Sequence, residues 1–305
     1  MKRYILKRIF QALICLIGVT IIIFFLTRLS GDPVLLMVAP EATKDDIELM
    51  RKTLGLDRPL YEQYWTFISK AVRGDFGKSL RWDRSNLGLF FERFPNTLLL
   101  ATAAMLFSVF VGIPVGVISA VKMGRWFDNF GKAFAFLGQA MPVFWLGIML
   151  ILMLSVWLKI LPTSGVGGWK NLIMPTFTLG WYVTASLTRL SRSAMLDVID
   201  SDYIKMTRIM GVSEIAIIGK HALKNACIPI LTLGVVNFVI MLNGTVIVEA
   251  VFNWPGIGRL VVDGINTRDF PLVQTCVLIA STMYIFANLL VDVLYAYLDP
   301  RIRYQ

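Results

Sequence analysis

Six long apolar stretches, at residues 9–27, 97–121, 133–158, 172–188, 228–252 and 272–298, set the class of fold open to this chain. Each is close to the ~20 residues that a helix needs to cross a bilayer, where no water is present and every backbone group must bond within its own segment. None shows the two-residue alternation of a membrane barrel strand. The fourth is the shortest and is interrupted by Pro175 and Gly180. The pattern predicts an all-α integral membrane protein with six transmembrane helices. Composition agrees: 56% of the 305 residues are hydrophobic and 16% charged, against ~45–50% and ~25% in soluble domains. Too little charge is present to cover a soluble fold or to keep a chain disordered. The three cysteines, Cys15, Cys227 and Cys276, lie in or beside apolar spans with no paired spacing, so they read as packing residues.

Orientation follows from lysine and arginine. Lys2, Arg3, Lys7 and Arg8 precede the first span, Lys122, Arg125 and Lys132 lie between the second and third, and Arg301 and Arg303 close the chain. The short loops on the other side carry Lys159, Lys170, Arg259 and Arg268. Residues 30–95 form too long a loop to count, and their ten basic and ten acidic residues cancel. Both termini are therefore expected in the cytoplasm. The net charge of +10 is this asymmetry and calls for no nucleic-acid partner. The first span has an apolar core of about 18 residues, longer than a signal-peptide core, and no Ala-x-Ala site follows it. It is expected to remain as an anchor. The chain thus divides into an anchor at 1–29, an extracytoplasmic loop at 30–95 and a five-helix core at 96–305, with a long cytoplasmic connection at 189–227.

Two external features stand out. Tyr61, Tyr64, Trp65, Ile68 and Val72 recur at helical spacing and predict an amphipathic helix rich in aromatics, followed by Phe76, Trp82, Phe90, Phe91 and Phe94. Such side chains suit a membrane–water interface. The helix is either a receiving platform on the outer leaflet or a cover over the other spans. Within the same loop Gly77-Lys78-Ser79 is not a phosphate loop, because the glycine required five residues before Gly77 is Val72. The second feature runs from Val248 to Arg259, with Glu249, Trp254, Pro255, Gly256 and Gly258 inside it, and is followed by Arg268-Asp269-Phe270-Pro271. Pro255, Gly256 and Gly258 must end the fifth span and turn the chain, either as a plain turn or as a re-entrant collar. Irregular backbone at that depth is tolerated only inside protein or along a cavity.

The internal connection is predicted to be a helix–glycine–helix unit too short to cross a membrane. Residues 202–210 can form a short helix capped by Asp200 or Ser201. Val212, Ile215, Gly219, Ala222 and Ala226 form a stripe on a second helix, interleaved with Lys220, His221 and Lys224. Gly211 lies between them, where glycine permits a left-handed break. Such a unit is either a docking knob or a helix lying on lipid.

These residues carry a resemblance. Asp202-Tyr203, Arg208, Gly211-Val212-Ser213, the run from His221 to Asn225, and Pro229 resemble the cytoplasmic coupling loop of ATP-binding-cassette importer permeases. The branch is the one for dipeptides, oligopeptides, glutathione and nickel. Residues 31–33, 54–61, 74–77, 248–259 and 268–271, Asp292 and residues 299–303 match the same branch in the same order. The long first external loop resembles the first of that branch's two permease types. The chain departs from the wider family at Lys205-Met206-Thr207, where a Glu-Ala-Ala run is usual.

The resemblance implies a bacterial inner-membrane heterodimer with a second homologous permease, two cytoplasmic ATPases that bind ATP and magnesium, and an extracytoplasmic substrate-binding protein. No cofactor, metal or catalytic residue is expected in this chain. Asp202, Tyr203, Arg208, Gly211, Ser213, His221 and Asn225 are the implied ATPase-coupling residues. Asn237, Met241, Gly244, Thr245 and Val248 share one face of the fifth span and are the candidate translocation path, with packing through small residues as the alternative. Glu249, Trp254, Pro255, Gly256, Gly258, Arg259 and Asp269 are the candidate external seal and binding-protein contact. Asn288 and Asp292, one turn apart, read as structural partners in the last helix. The substrate expected is a di- or oligopeptide or glutathione, with a nickel or metal-chelate importer as the alternative. A secondary transporter is disfavoured because the spans hold almost no ionisable groups. A membrane enzyme is disfavoured because a single histidine excludes HExxH and other multi-histidine sites.

Overall fold

The computed structural model describes residues 2–29, 34, 43–53 and 55–298; residues 31–33, Leu54 and residues 299–303 of the resemblance lie outside them. Among the described residues twelve α-helices follow in chain order: α1 Lys2–Leu29, α2 Lys44–Thr53, α3 Leu60–Val72, α4 Asn86–Val121, α5 Trp126–Ala140, α6 Val143–Leu150, α7 Trp169–Ile199, α8 Asp202–Ile209, α9 Glu214–Ala216, α10 Leu223–Val251, α11 Ile257–Asn266 and α12 Phe270–Leu298. Wide π-turns at Ile151–Trp157 and Ile217–Ala222 extend α6 and join α9 to α10. The one extended pairing among the described residues is the isolated bridge Lys78–Ser85.

Helices α1, α4, α9–α10 and α12 contain segments long and apolar enough to cross a membrane, and α5 with α6 makes a fifth if the bent pair counts as one. Three details differ from the sequence reading. The expected third span is broken at Met141–Pro142, where the two halves bend by 104°. Met141 and Pro142 are both extended (ψ 126° and 134°), as the residue before a proline prefers, and the missing proline N–H cannot continue the helix. The fourth, α7, is 31 residues long but is not among the helices that qualify by apolarity. Its polar residues Thr178, Thr184, Thr188 and Ser191 are buried, so the polar side of this helix faces protein, while Ile173 and Tyr182 on another side stay exposed. Finally, the second helix of the internal connection is no separate unit. It runs through the π-turn directly into the expected fifth span, and Glu214–Leu242 is apolar enough to cross as one segment.

The chain forms two compact units. The first, residues 1–95 and 256–305, packs α1 beside α12 and α11 against α12. The apolar outer face of α1, including Phe10, Ile14 and Ile17, is exposed; a helix apolar on all sides fits a lipid surrounding. Arg8 pairs with Asp292 at 3.3 Å, which gives that carboxylate the structural partner its place in the last helix called for. A smaller core joins Leu89, Phe90, Ile257, Leu260, Leu272 and Cys276. Helix α3 is the expected amphipathic helix: Tyr64 bonds Thr20 at 2.8 Å and faces Phe24 edge-on, while Tyr61 and Trp65 stand exposed.

The second unit, residues 96–255, is built around α7, which packs on α5, α6 and α10. Its seam between α4 and α7 is made of glycines. A Cβ on Gly116 would lie 2.5 Å from the Thr188 carbonyl, one on Gly112 2.8 Å from the Thr184 carbonyl, and one on Gly180 2.9 Å from the Ala104 carbonyl. Here the absent side chain lets backbone meet backbone. Ser108 donates to the Gly180 carbonyl at 2.9 Å across the same seam.

Candidate functional site

The internal elbow lies in the second unit. Helix α7 ends at Ile199 and α8 starts two residues after Asp200. Ser201 is the N-cap residue, but its hydroxyl donates back to the Val198 carbonyl at 2.6 Å and caps no amide of α8. Gly211 has φ +79°, the left-handed conformation its position called for, and its N–H bonds the Arg208 carbonyl at 3.0 Å. Two side-chain pairs brace the break. Tyr203 Oη and His221 Nδ1 are 2.8 Å apart, tying α8 to the π-turn beyond the glycine. Arg208 Nε donates to Glu214 at 2.8 Å across the glycine itself. The apolar side of α8 is anchored by Ile204, and the π-turn by Ile217, both fully buried.

Of the residues singled out for coupling, Tyr203, Arg208 and His221 thus hold the elbow's own shape. Asp202 pairs with Lys205 at 3.1 Å. Asp202, Ser213 and Asn225 are exposed. The tip carries a feature that the sequence reading passed over: Ile209, Met210 and Ile215 are 80%, 69% and 87% exposed. Ile215 and Gly219 were assigned to the stripe of the second helix, yet both are exposed; the π-turn at Ile217–Ala222 breaks the 3.6-residue period that would have set them in line with the buried Ala222 and Ala226. Three bare apolar side chains around a braced left-handed turn are unusual for a surface facing only water.

Four of the five candidate path residues, Asn237, Met241, Thr245 and Val248, are buried along α10. Met241, Thr245 and Val248 are 1–3% exposed; the surroundings of Gly244 lie outside the described residues. Asn237 is 6% exposed, and its amide nitrogen has no hydrogen-bond partner among the described residues. It is the polar irregularity of an otherwise packed face.

The turn after α10 is built in two parts. In the second unit, Glu249 is fully buried and accepts a 2.8 Å bond from Thr97. Trp254 is 1% exposed and donates its indole N–H to the Asn96 carbonyl at 3.0 Å; Asn96 in turn donates to the Pro255 carbonyl. Asn253 takes a positive φ of 49° to make the turn. Trp254 was read as part of the external seal and binding-protein contact. Within this chain it is a buried anchor that fixes the turn. Trp254→Ala should accordingly lower the melting temperature of the purified complex, the cost of a truncated core tryptophan being about 3–5 kcal/mol. Trp254→Phe keeps most of the packing and should lose only about 1 kcal/mol for the missing indole bond; thermal unfolding of both variants in detergent checks the ranking.

In the first unit, Gly256 and Gly258 are buried at the start of α11, and Arg259 bonds Asp263 one turn on at 2.9 Å. Asp269 is 1% exposed. It accepts from the Leu272 amide, capping α12, and also from the Ser79 hydroxyl. The Lys78–Ser85 pairing, which belongs to the loop with the glycine–lysine–serine run, is thereby pinned to the beginning of α12. That serine holds a carboxylate, a role opposite to binding phosphate.

A buried ion cluster went unread in the sequence. Asp128, fully buried at the start of α5, accepts from Arg192 (2.6 and 3.1 Å), Lys132 (2.8 Å), Ser119 (2.8 Å) and the Gly124 amide (3.0 Å). It ties the end of α4, the first turn of α5 and the elbow-side half of α7 together. The Asp128–Lys132 spacing of four residues was the available signal; the basic residues had been used only to orient the chain.

Comparison with known proteins completes the picture. Residues 112–304 match the family described as "Binding-protein-dependent transport system inner membrane component", and residues 1–101 match "Binding-prot-dependent transport system membrane comp, N-term". The glutathione transport system permease protein GsiC of Escherichia coli (strain K12) is 43% identical over 306 residues, covering 100% of both chains. GsiC of Shigella dysenteriae serotype 1 (strain Sd197) gives the same figures. Among solved structures, an inward-facing MetNI methionine ABC transporter is 18% identical with a TM-score of 0.56, covering 70% of this chain and 97% of that one. An amino acid ABC transporter is 15% identical with a TM-score of 0.56, covering 69% and 94%. The helical architecture is therefore that of ABC transporter membrane subunits. With an apolar multi-pass body, a braced left-handed elbow and an end-to-end match to inner-membrane permeases, this chain belongs to the binding-protein-dependent transport system inner membrane component family.

Proposed function

We propose that the chain is the first-type permease of a heterodimeric ATP-driven importer for glutathione or short peptides. The observation that carries the substrate class is the 43% identity, over every residue of both chains, to glutathione permeases. The reading places both termini in the cytoplasm, residues 1–29 as anchor, 30–95 outside and 96–305 as the permease core. Two ATPase subunits supply ATP and magnesium binding, and an external binding protein delivers substrate; the chain itself performs no hydrolysis.

Import requires a cavity with two states and an energy source that prefers one of them. In this reading the elbow is the point of entry for that energy. Ile209, Met210 and Ile215 seat in an apolar cleft of the ATPase, while the Tyr203–His221 and Arg208–Glu214 pairs keep the elbow stiff enough to transmit its motion. ATPase closure then moves α7 and α10, which leave the elbow on either side, as near-rigid bodies. The path follows the Asn237 face of α10, where the unpartnered amide supports a polar lining. Gly256, Gly258, Arg259 and Asp269 shape the outer turn that meets the binding protein.

The test is uptake by membrane vesicles containing the complete importer. ATP-dependent accumulation of labelled glutathione or dipeptide is expected, and it should stop when ATP is withdrawn. Accumulation of nickel alone, or accumulation that persists on an ion gradient without ATP, would overturn the assignment.

A further inference from the structure

We propose that the groove between α5 and α7 is a binding site for the headgroup of an anionic phospholipid. The groove encloses about 330 Å³, and its lining has two characters. Lys132, Arg189 and Arg192 supply cationic groups, while Ala135 and the exposed Phe136 form an apolar wall.

Charge decides what the basic side attracts. The carboxylate that serves it, Asp128, is already engaged at both oxygens by Ser119, Gly124, Lys132 and Arg192. Arg189 meets only the neutral side-chain oxygen of Gln139, at 3.1 Å, and is exposed. Three positive groups against one negative leave an excess that calls for an anion. A phosphate group satisfies planar guanidinium donors well.

The apolar wall decides which anion. A free ion would gain nothing from Ala135 and Phe136, whereas an acyl chain leaving the headgroup would cover them. Helix α5 has the composition of an element lying at a membrane surface: Trp126, Phe130 and Phe136 are 68%, 57% and 73% exposed, with Arg125 and Lys132 interspersed. Exposed aromatic residues with basic residues between them along a helix favour the interface of an anionic leaflet. Basic pockets between membrane helices bind acidic lipid headgroups by the same physics. The inference needs a membrane location and does not depend on what the importer carries.

The experiment is lipid retention by the complete detergent-purified importer, measured by native mass spectrometry after exposure to phosphatidylglycerol or phosphatidylcholine. The wild type is expected to retain phosphatidylglycerol in preference. Arg189→Gln, which leaves the Asp128 cluster intact, should weaken that retention about fivefold. Ala135→Trp, which fills the groove without changing charge, should weaken it too; if that variant fails to fold, Arg189→Gln carries the test alone. Equal retention by the wild type and Arg189→Gln overturns the proposal. So does loss of the lipid on adding millimolar inorganic phosphate, which would make the groove a free-anion site, or retention of neither lipid.

Discussion

Gly211→Val is expected to cut substrate uptake about 5- to 30-fold while the importer still assembles and still hydrolyses ATP. A Cβ at Gly211 would meet nothing within 4 Å, so the effect cannot come from a clash. It comes from φ +79°, a conformation that costs an ordinary L-residue about 1–2 kcal/mol and a β-branched one more. A strain of one to two kcal/mol shifts a two-state population by a factor of about 5–30, and the population lost is the one in which α8 and α9 meet at the right angle. The graded series is the check: Asn, which tolerates the left-handed region, should do least harm, Ala more and Val most. Vesicle uptake and ATPase rate measured side by side separate uncoupling from loss of assembly. Uptake by Gly211→Val at the wild-type rate would remove the elbow from the mechanism.

Asp128→Ala is expected to lower the melting temperature of the complex by roughly 6–12 °C. Removing one partner of a buried ion pair costs about 3–5 kcal/mol, because the other charge is left without compensation. Arg192 and Lys132 retain some access to solvent, so the lower end applies: about 3 kcal/mol, at about 2–4 °C per kcal/mol for a unit of this size. Asp128→Asn, which can still accept from Ser119 and the Gly124 amide, should fall between. Adding Arg192→Gln to Asp128→Asn should recover part of the loss, since the more buried of the two cations is then gone and only Lys132, half exposed to solvent, is left without its carboxylate. Thermal unfolding of the complex measures all three, and a double variant less stable than the sum of its single changes would show that the pair is not the source.

What could be read from the sequence was whatever depends on neighbours along the chain. The apolar runs gave α1, α4 and α12; the aromatic spacing gave α3; the glycine between two helical patterns gave the left-handed break at Gly211. What could not be read depends on partners distant in the chain. Met141–Pro142 sits within an unbroken apolar run, so hydropathy alone continued the helix past a 104° bend. The fourth span looked marginal because it is short and Pro175 and Gly180 interrupt it, yet α7 carries Pro175 within the helix and sets Gly180 against the backbone of Ala104, a contact that lies far away in the chain. Trp254 and Glu249 were read as part of an external seal, but what holds them was out of reach of the sequence: their partners Asn96 and Thr97 lie about 150 residues earlier. Likewise the Asp128 cluster closes over 64 residues to Arg192, a distance at which no spacing rule operates.

The glycine seam of α4 and α7 has one more consequence. Where side chains interdigitate, two helices can slip by changing rotamers, like gears with play in their teeth. Gly112, Gly116 and Gly180 leave no such play, since main chain abuts main chain. Torque applied at the Asp200 end of α7 therefore cannot be dissipated along that seam, and α4 must follow as though the two were one beam.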